Sequence, residues 1–378
     1  VILPYNATVQ IRIALDARKL TDYGIGTYVS HLVRGLGERP DIRLTVLARG
    51  VHEPRVTELA PSARVVTVSA AEYGMIEHVR LPAALWRQDV DLVHIPHYVL
   101  PLMLMQPAVV TVHDVIQLFY PPRGRALLAQ LYLRVMLRST LRRARRVITV
   151  SRASRRDLVH LFGAETAQLD VVPSGVDQRL VRRPADDAIE DLKRRYDLAP
   201  PLVLVVANDK PHKNLDFVLR AYHAARRRHR IPGQLVMVGG GERLRDRAAQ
   251  LGLEDRVRIL GRIPTSDLHA VYHTSAVLLH VSLYEGFGLP LVEAMAAGLP
   301  VITSNLGAMR ELGEGTARLV NPLDLDEVAG AIEQVLVDDP LRRRMIEAGR
   351  RRSERLTWQA TVDRTVEVYR SALGGGSS

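Results

Sequence analysis

PLVLVVANDKPHKNLDFVLRAYHAARRRHRIPGQLVMVGGG, residues 201–241, passes from one apolar run through a polar turn and a helix-period segment into a second apolar run. Leu202–Val206 and Gln234–Val238 are nearly continuous Val, Leu and Met, without the alternation of a half-solvated strand, so both are expected to be strands buried on both faces. Such strands need helices above and below them, and a helix between two of them makes them parallel. The same unit repeats outward in both directions. Upstream, strands are expected at Gln10–Leu15, Arg43–Ala48, Arg64–Val68, Asp91–Ile95, Ala108–Val112, Arg146–Val150 and Leu169–Val172. Downstream they are expected at Val257–Leu260, Val277–Val281 and Pro300–Thr303. The fold class is α/β, with doubly wound parallel sheets.

A chain of 378 residues, 47% hydrophobic and 25% charged, has the length for two domains with real cores and excludes disorder, collagen and coiled coil. The polar, proline-punctuated stretch 178–200 separates two βαβ series. The expected organisation is a first domain at 1–180, a linker at 181–200, a second domain at 201–357, a helix at 358–373 that lies on either domain, and a tail at 374–378. The absence of cysteine excludes disulfides, thiolate metal sites, iron–sulfur clusters and a cysteine nucleophile, and fits a reducing cytoplasm. The opening VILPYNATVQIRIALD reads as neither a secretory signal nor a membrane span.

The net charge of +11 is uneven. Residues 123–156 hold eleven arginines and no acid, which equals the whole excess. Only four of the 52 basic residues are lysine, and two of those, Lys210 and Lys213, share one turn.

Four motifs carry candidate chemistry. Asp22-Tyr23-Gly24-Ile25-Gly26-Thr27 follows the first strand and precedes an amphipathic run; Gly24 and Gly26 serve either a tight turn or the close approach of an anion to a helix N-terminus. Thr111-Val112-His113-Asp114 ends a strand, where polar side chains of α/β sheets face ligands, or else His113 caps a turn. His94 and His97 end the neighbouring strand and are placed to support the same cleft; a zinc site would need three convergent ligands. Asn208-Asp209-Lys210-Pro211-His212-Lys213-Asn214 puts cations at a strand-to-helix turn, as a diphosphate site or as a solvated loop. SLYEGFGLPLVEAMAAGLPVI, residues 282–302, sets Glu285 and Glu293 eight apart around Gly286, Gly288 and Pro290, so that two carboxylates share an anion-binding helix entry. Asp89-Val90-Asp91 and Asp324-Leu325-Asp326 mimic a metal motif; the second is read instead as an N-cap with Glu327 completing a capping box.

These blocks, with VITVSRASRRDL, VVPSGVD, VVGGG, LGRIP and LTWQATVDRTVEVY in order between Ile11 and Tyr369, resemble a bacterial glycosyltransferase of family 4. The Lys210–Asn214 turn resembles that of mannosyltransferase-like members. The resemblance implies a GT-B fold, two Rossmann-like domains facing a central cleft, and retention of anomeric configuration without metal or cofactor. A nucleoside-diphosphate sugar, GDP-mannose or a UDP-sugar, is the implied co-substrate. It further implies that Lys213 holds the diphosphate, Glu285 the sugar hydroxyls and Glu293 the ribose. Gly286, Phe287, Gly288 and Leu289 would meet the sugar and distal phosphate, Arg262 and Ile263 the base, Gly24 and Gly26 the phosphates, and His113 the donor sugar. Catalytic roles fall to His113, Lys213 and Glu285. Asn208 stands where relatives carry a second diphosphate-binding arginine, leaving Lys210, His212 or another group for that role, and Ser174 replaces a common asparagine.

Other readings are a sugar-nucleotide epimerase or phosphorylase of similar fold, and an arginine-rich nucleic-acid binder. With 5% aromatic residues the last lacks stacking groups, and no nucleic acid is expected. In the run Arg125–Arg142, Arg134, Arg138 and Arg142 form a stripe with Leu128, Tyr132, Leu133, Val135, Met136 and Leu137 around the rest of the wheel. Such a helix suits either the domain's own core or an anionic membrane surface, with a glycan or lipid-linked acceptor.

Overall fold

The computed structural model describes residues 10–22, 24–69, 76–121 and 126–374. Tyr23 of the glycine loop, Arg123 and Arg125 of the arginine run, and the end of the tail lie outside them. Two compact units result, one of residues 1–174 with 358–378, the other of residues 175–357.

The first unit runs β1 (Ile11–Asp16), α1 (Ile25–Gly37), β2 (Ile42–Ala48), α2 (Glu53–Leu59), β3 (Arg64–Thr67), α3 (Glu77–Leu85) and β4 (Leu92–Ile95). It continues through β5 (Ala108–Val112), α4 (Ile116–Phe119), α5 (Ala126–Arg143), β6 (Arg146–Thr149), α6 (Arg152–Phe162) and β7 (Leu169–Val171). The second unit holds α7 (Asp186–Tyr196), β8 (Leu202–Val206), α8 (Leu215–His229), β9 (Gln234–Val238), α9 (Glu242–Gln250), β10 (Val257–Gly261) and α10 (Thr265–Thr274). It ends with β11 (Val277–His280), α11 (Leu289–Ala297), β12 (Val301–Ser304), α12 (Gly307–Gly313), β13 (Arg318–Val320), α13 (Leu325–Val337) and α14 (Asp339–Ser353). The last helix, α15 (Trp358–Ala372), returns to the first unit.

Both sheets are wholly parallel, ordered β3-β2-β1-β4-β5-β6-β7 and β10-β9-β8-β11-β12-β13. Strand order therefore reverses between β1 and β4 and between β8 and β11, and ligands of such sheets gather outside the strand ends at those points. The interior strands are buried along nearly their whole length, as continuous Val and Leu demand.

Three expectations need correction. Residues 181–200 are no free linker, because α7 buries Ile189 and Leu192 in the second unit and Arg195 and Tyr196 bond Asp267 of α10. The edge strand β13 was not expected. Asp324 does cap α13, accepting from the N–H groups of Asp326 and Glu327, but Glu327 reaches the N–H of Asn321 rather than closing a capping box. The other acidic pair, Asp89 and Asp91, is bound by Arg12. α15 is held to the first unit by Tyr369 on His94 (2.6 Å) and Arg39 on Asp363 (2.6 Å), and its Val362 fits against Gly35, where a Cβ would come within 2.5 Å.

Candidate functional site

In the second unit, the two turns leaving the switch-point strands β8 and β11 are stapled together. The N–H of Leu283 donates to the carbonyl of His212 (2.8 Å), and Asn214, in the left-handed region at φ 60°, donates its amide to the carbonyls of Pro322 (2.9 Å) and Val281 (3.3 Å). The staple brings Lys213 Nζ to 2.5 Å from Glu285 Oε1, across 72 residues of sequence. Both side chains keep a limited opening to solvent, 15% and 12%. Burial pushes the Glu285 carboxyl up, but the Lys213 charge and the His280 hydrogen bond outweigh it and hold it well below the usual carboxylate range.

His280, at the end of β11, places Nε2 3.0 Å from Glu285 Oε1 and 3.2 Å from Ser282 Oγ, and is 2% exposed. Sequence reasoning passed over it; its position five residues before Glu285 at a strand end was the available signal. Glu293 is handled differently. It sits in the second turn of α11 and accepts from the Tyr272 hydroxyl at 2.7 Å, while burial pushes its carboxyl up and that bond opposes the shift. The two carboxylates thus differ in kind: one pairs with a cation, the other with a neutral hydroxyl.

Gly288 precedes α11 at φ 108°, a conformation L side chains rarely adopt, and Pro290 enters the first turn, where its missing N–H costs nothing. Gly286 and Phe287 are buried and Leu289 is half-buried. Asn208, at the end of β8, has a buried Oδ1 with no partner among the described residues. Next to it, Asp209 is bound by Arg243 (2.5 Å), which also holds Asp216 (2.6 Å). Arg262 is exposed and Ile263 half-buried, directly after β10. His212 is buried, and burial with the Lys213 charge lowers its pKa to about 4.

In the first unit, Gly24 begins α1 at φ 26° with open space where a Cβ would point. Gly26 has a packing reason: a Cβ there would lie 2.5 Å from the Leu20 carbonyl oxygen. His113 follows β5, bonds the backbone of Pro96 and meets the Tyr28 ring edge-on at 4.8 Å. Its Nε2 is buried with no partner among the described residues, so the donor is Nδ1 and Nε2 is a lone-pair acceptor; burial lowers the pKa to about 4 and keeps the ring neutral.

His94 and His97, expected to support the strand-end site, are both buried and held by neighbouring side chains. His94 bonds Thr111 (2.8 Å) and Tyr369 (2.6 Å), and burial lowers its pKa to about 3. His97 joins Asp16 and Glu77 in a buried group whose oxygen and nitrogen atoms lie within 4.8 Å of one another, the spacing of a metal site. The cation there is Arg18, 2.6 Å from both carboxylates and with a fully buried side chain. Sequence reading missed this group, since Glu77 lies 59 residues from Arg18.

Comparison with known proteins agrees with this arrangement. Residues 188–352 match the model of glycosyl transferases group 1, and residues 23–180 that of glycosyltransferase family 4. The chain is 34% identical over 236 residues to an MMP alpha-(1->4)-mannosyltransferase of Mycolicibacterium hassiacum, covering 60% of this chain and 54% of the relative. It is 28% identical over 374 residues to O-antigen chain mannosyltransferase B of Escherichia coli, covering 92% and 96%. The chain thus spans about half the length of some curated relatives and nearly the whole of another. Among solved structures, a sucrose-phosphate synthase from Thermosynechococcus elongatus superposes with a TM-score of 0.82 at 24% identity, covering 97% of this chain and all of the other. Anabaena Alr3699/HepE in complex with UDP and glucose superposes at 0.76 and 21%, covering 96% and 100%. These likenesses, on two doubly wound units with matched family models on each, place the chain among the family 4 and group 1 glycosyltransferases, enzymes of GT-B fold.

Proposed function

We propose that this glycosyltransferase takes a sugar from a nucleoside-diphosphate sugar, GDP-mannose or a UDP-sugar, and passes it with retained configuration to a hydroxyl of a growing glycan or lipid-linked acceptor. The observation that carries the reading is the Lys213–Glu285 pair at the switch point of the second sheet, buried enough to be strong and open enough to exchange partners. A diphosphate brings more negative charge than one carboxylate. It would draw the ammonium of Lys213 and release a Glu285 oxygen, still held by His280, to accept from a sugar hydroxyl. Breaking the sugar–phosphate bond leaves charge on the diphosphate, which Lys213 and the N–H groups at the start of α11 would stabilise, without metal. The backbone of Gly286–Leu289 would pass the sugar and distal phosphate, and Asn208 would supply a neutral contact where a second cation is otherwise used. Glu293 would accept from the ribose, with Arg262 and Ile263 near the base. From the first unit, His113 would accept a hydroxyl hydrogen of the donor sugar at Nε2, and Gly24 and Gly26 would approach the phosphates.

The mannosyltransferase names of two relatives favour GDP-mannose; the UDP and glucose of HepE keep UDP-sugars as the other donor class. Retention requires leaving group and acceptor hydroxyl on one face of the ring, so the acceptor would be held beside the departing diphosphate. A cytoplasmic enzyme meeting its acceptor at the membrane face fits this reading; among the described residues no helix is long and apolar enough to cross a membrane.

Thermal stability against a panel of nucleotide sugars is the direct test, since a ligand at 100 times its Kd adds about 2.7 kcal/mol. Glu293→Ala should weaken free nucleotide diphosphate binding, and Glu285→Ala should spare it. Lack of stabilisation by every nucleotide sugar, or a product of inverted configuration, would overturn the reading.

A further inference from the structure

α5 has one solvent-facing stripe, and its character changes along the axis. The first two turns expose Leu127 (79%), Leu128 and Leu131, and the later turns expose Arg134, Val135, Arg138 and Arg142, with Arg145 just beyond the helix. The expected division into an arginine side and an apolar side is not what forms: Leu133, Met136, Leu137 and Leu141 are the core face, and the exposed leucines and arginines share the other. No carboxylate among the described residues pairs with Arg134, Arg138, Arg142 or Arg145, whereas arginines elsewhere, such as Arg12, Arg146 and Arg243, each hold an aspartate. The last three line a cavity of about 620 Å³ with Phe162, Gln168 and a single acid, Glu165.

The apolar end continues onto its neighbours. Tyr132 reaches His78 of α3 (3.4 Å) and His78 accepts from the N–H of Leu102 (3.2 Å), while at the far end of α5 Arg143 donates to the carbonyls of Pro101 and Leu104 (both 3.0 Å). On this tied surface Val79, Trp86 (81%), Met103 and Met105 (86%) are also exposed. Large apolar side chains gathered beside an unneutralised row of arginines match a surface that is oily inside and negative outside.

We infer that this face of the first unit docks on an anionic lipid bilayer, with the α3, 102–105 and early α5 side chains entering the interface and Arg134, Arg138, Arg142 and Arg145 against headgroup phosphates. The inference rests on the lipid-linked reading of the acceptor, but its test needs no donor. Each nearby arginine adds to the attraction for an anionic surface, and salt weakens it.

Tryptophan reports the geometry, because the chain has two, Trp86 on this face and Trp358 in the core. The full chain is mixed with phosphatidylcholine vesicles containing none or 30 mol% phosphatidylglycerol, and cosedimentation and emission are read. Expected are binding that requires the anionic lipid and falls with salt, and a blue shift lost in Trp86→Phe. A loss of binding of at least tenfold is expected in Arg134→Gln/Arg138→Gln/Arg142→Gln, and separately in Leu127→Ser/Leu128→Ser/Leu131→Ser, each checked for an unchanged melting temperature. Sedimentation without a Trp86 shift would overturn the assigned face, and no sedimentation at low salt the inference itself. Protection by inorganic phosphate equal to that by vesicles would make the row a phosphate site instead. Vesicle binding with no transferase activity would leave this inference standing and sink the functional reading.

Discussion

Each unit sets a cation against carboxylate at the reversal point of its sheet, two acids in the first and one in the second, and the two arrangements behave oppositely. In the first unit Arg18 lies between Asp16 and Glu77 with nothing open to solvent. In the second, Lys213 meets Glu285 with both side chains partly exposed, the acid held from behind by His280. The chemistry also differs: a guanidinium forks onto two acids in fixed geometry, whereas an ammonium is a point charge on a flexible stem that can turn to another anion. A sealed pair can only hold the fold, and an ajar pair can trade one anion for another.

Removing the sealed cation should have the largest effect. Arg18→Leu leaves two buried carboxylates uncompensated and should cost about 3–5 kcal/mol of first-unit stability in urea unfolding; a cost near 1 kcal/mol would mean that water reaches the cluster. Lys213→Ala should do the reverse, melting near the parent temperature but lowering kcat/KM at least roughly 100-fold. Near-normal turnover would put Lys213 with Arg18 as a fold residue.

Acid should separate the units next. His94 and His113 in the first unit are held at about 3 and about 4, and His212 in the second at about 4, against about 6.5 when unfolded. Between those values the unfolded chain takes protons that the folded chain refuses, so stability falls as pH drops from about 6.5 toward 4. Glu285 and Asp16, held low, protect above the ordinary carboxylate range and lose that protection only at lower pH. His94→Gln should recover about 2 kcal/mol of the loss between pH 6.5 and 5, read as a shallower slope of first-unit stability against pH. An unchanged slope would show that His94 is not the group that titrates. The smallest expected effect belongs to the residue behind the ajar pair. His280→Leu should lower kcat/KM about tenfold, the worth of one hydrogen bond, with free nucleotide diphosphate binding intact and partial rescue by His280→Gln. Equal loss of nucleotide binding would assign His280 a wider packing role.

The sheets were legible because strands buried on both faces write themselves as unbroken Val and Leu. β13 was not, since Arg318–Val320 is three residues long and two of them are only half-buried. α7 hid for another reason: Ile189 and Leu192 are its buried residues among charged neighbours, which reads as linker until α10 is there to receive them. Lys213 and Glu285 could be picked out because each sits in a glycine- or proline-marked turn after a strand. Arg18 and Glu77 carry no local mark, and only the return of α3 to the end of β1 joins them. On α5 the period of the arginines was visible, but which leucines they share a face with depends on what packs beneath.

α15 belongs to the first unit although the whole second unit precedes it in the chain. During synthesis the second unit is complete at residue 357, while the first still lacks the helix that supplies Tyr369 to His94 and Trp358 to the stack with His31 at 4.3 Å. The half of the protein that starts first thus finishes last. A stop codon just after residue 357 should yield a sound second unit joined to a first one with the underside of its sheet uncovered, a nascent species for chaperones to hold rather than a shorter enzyme.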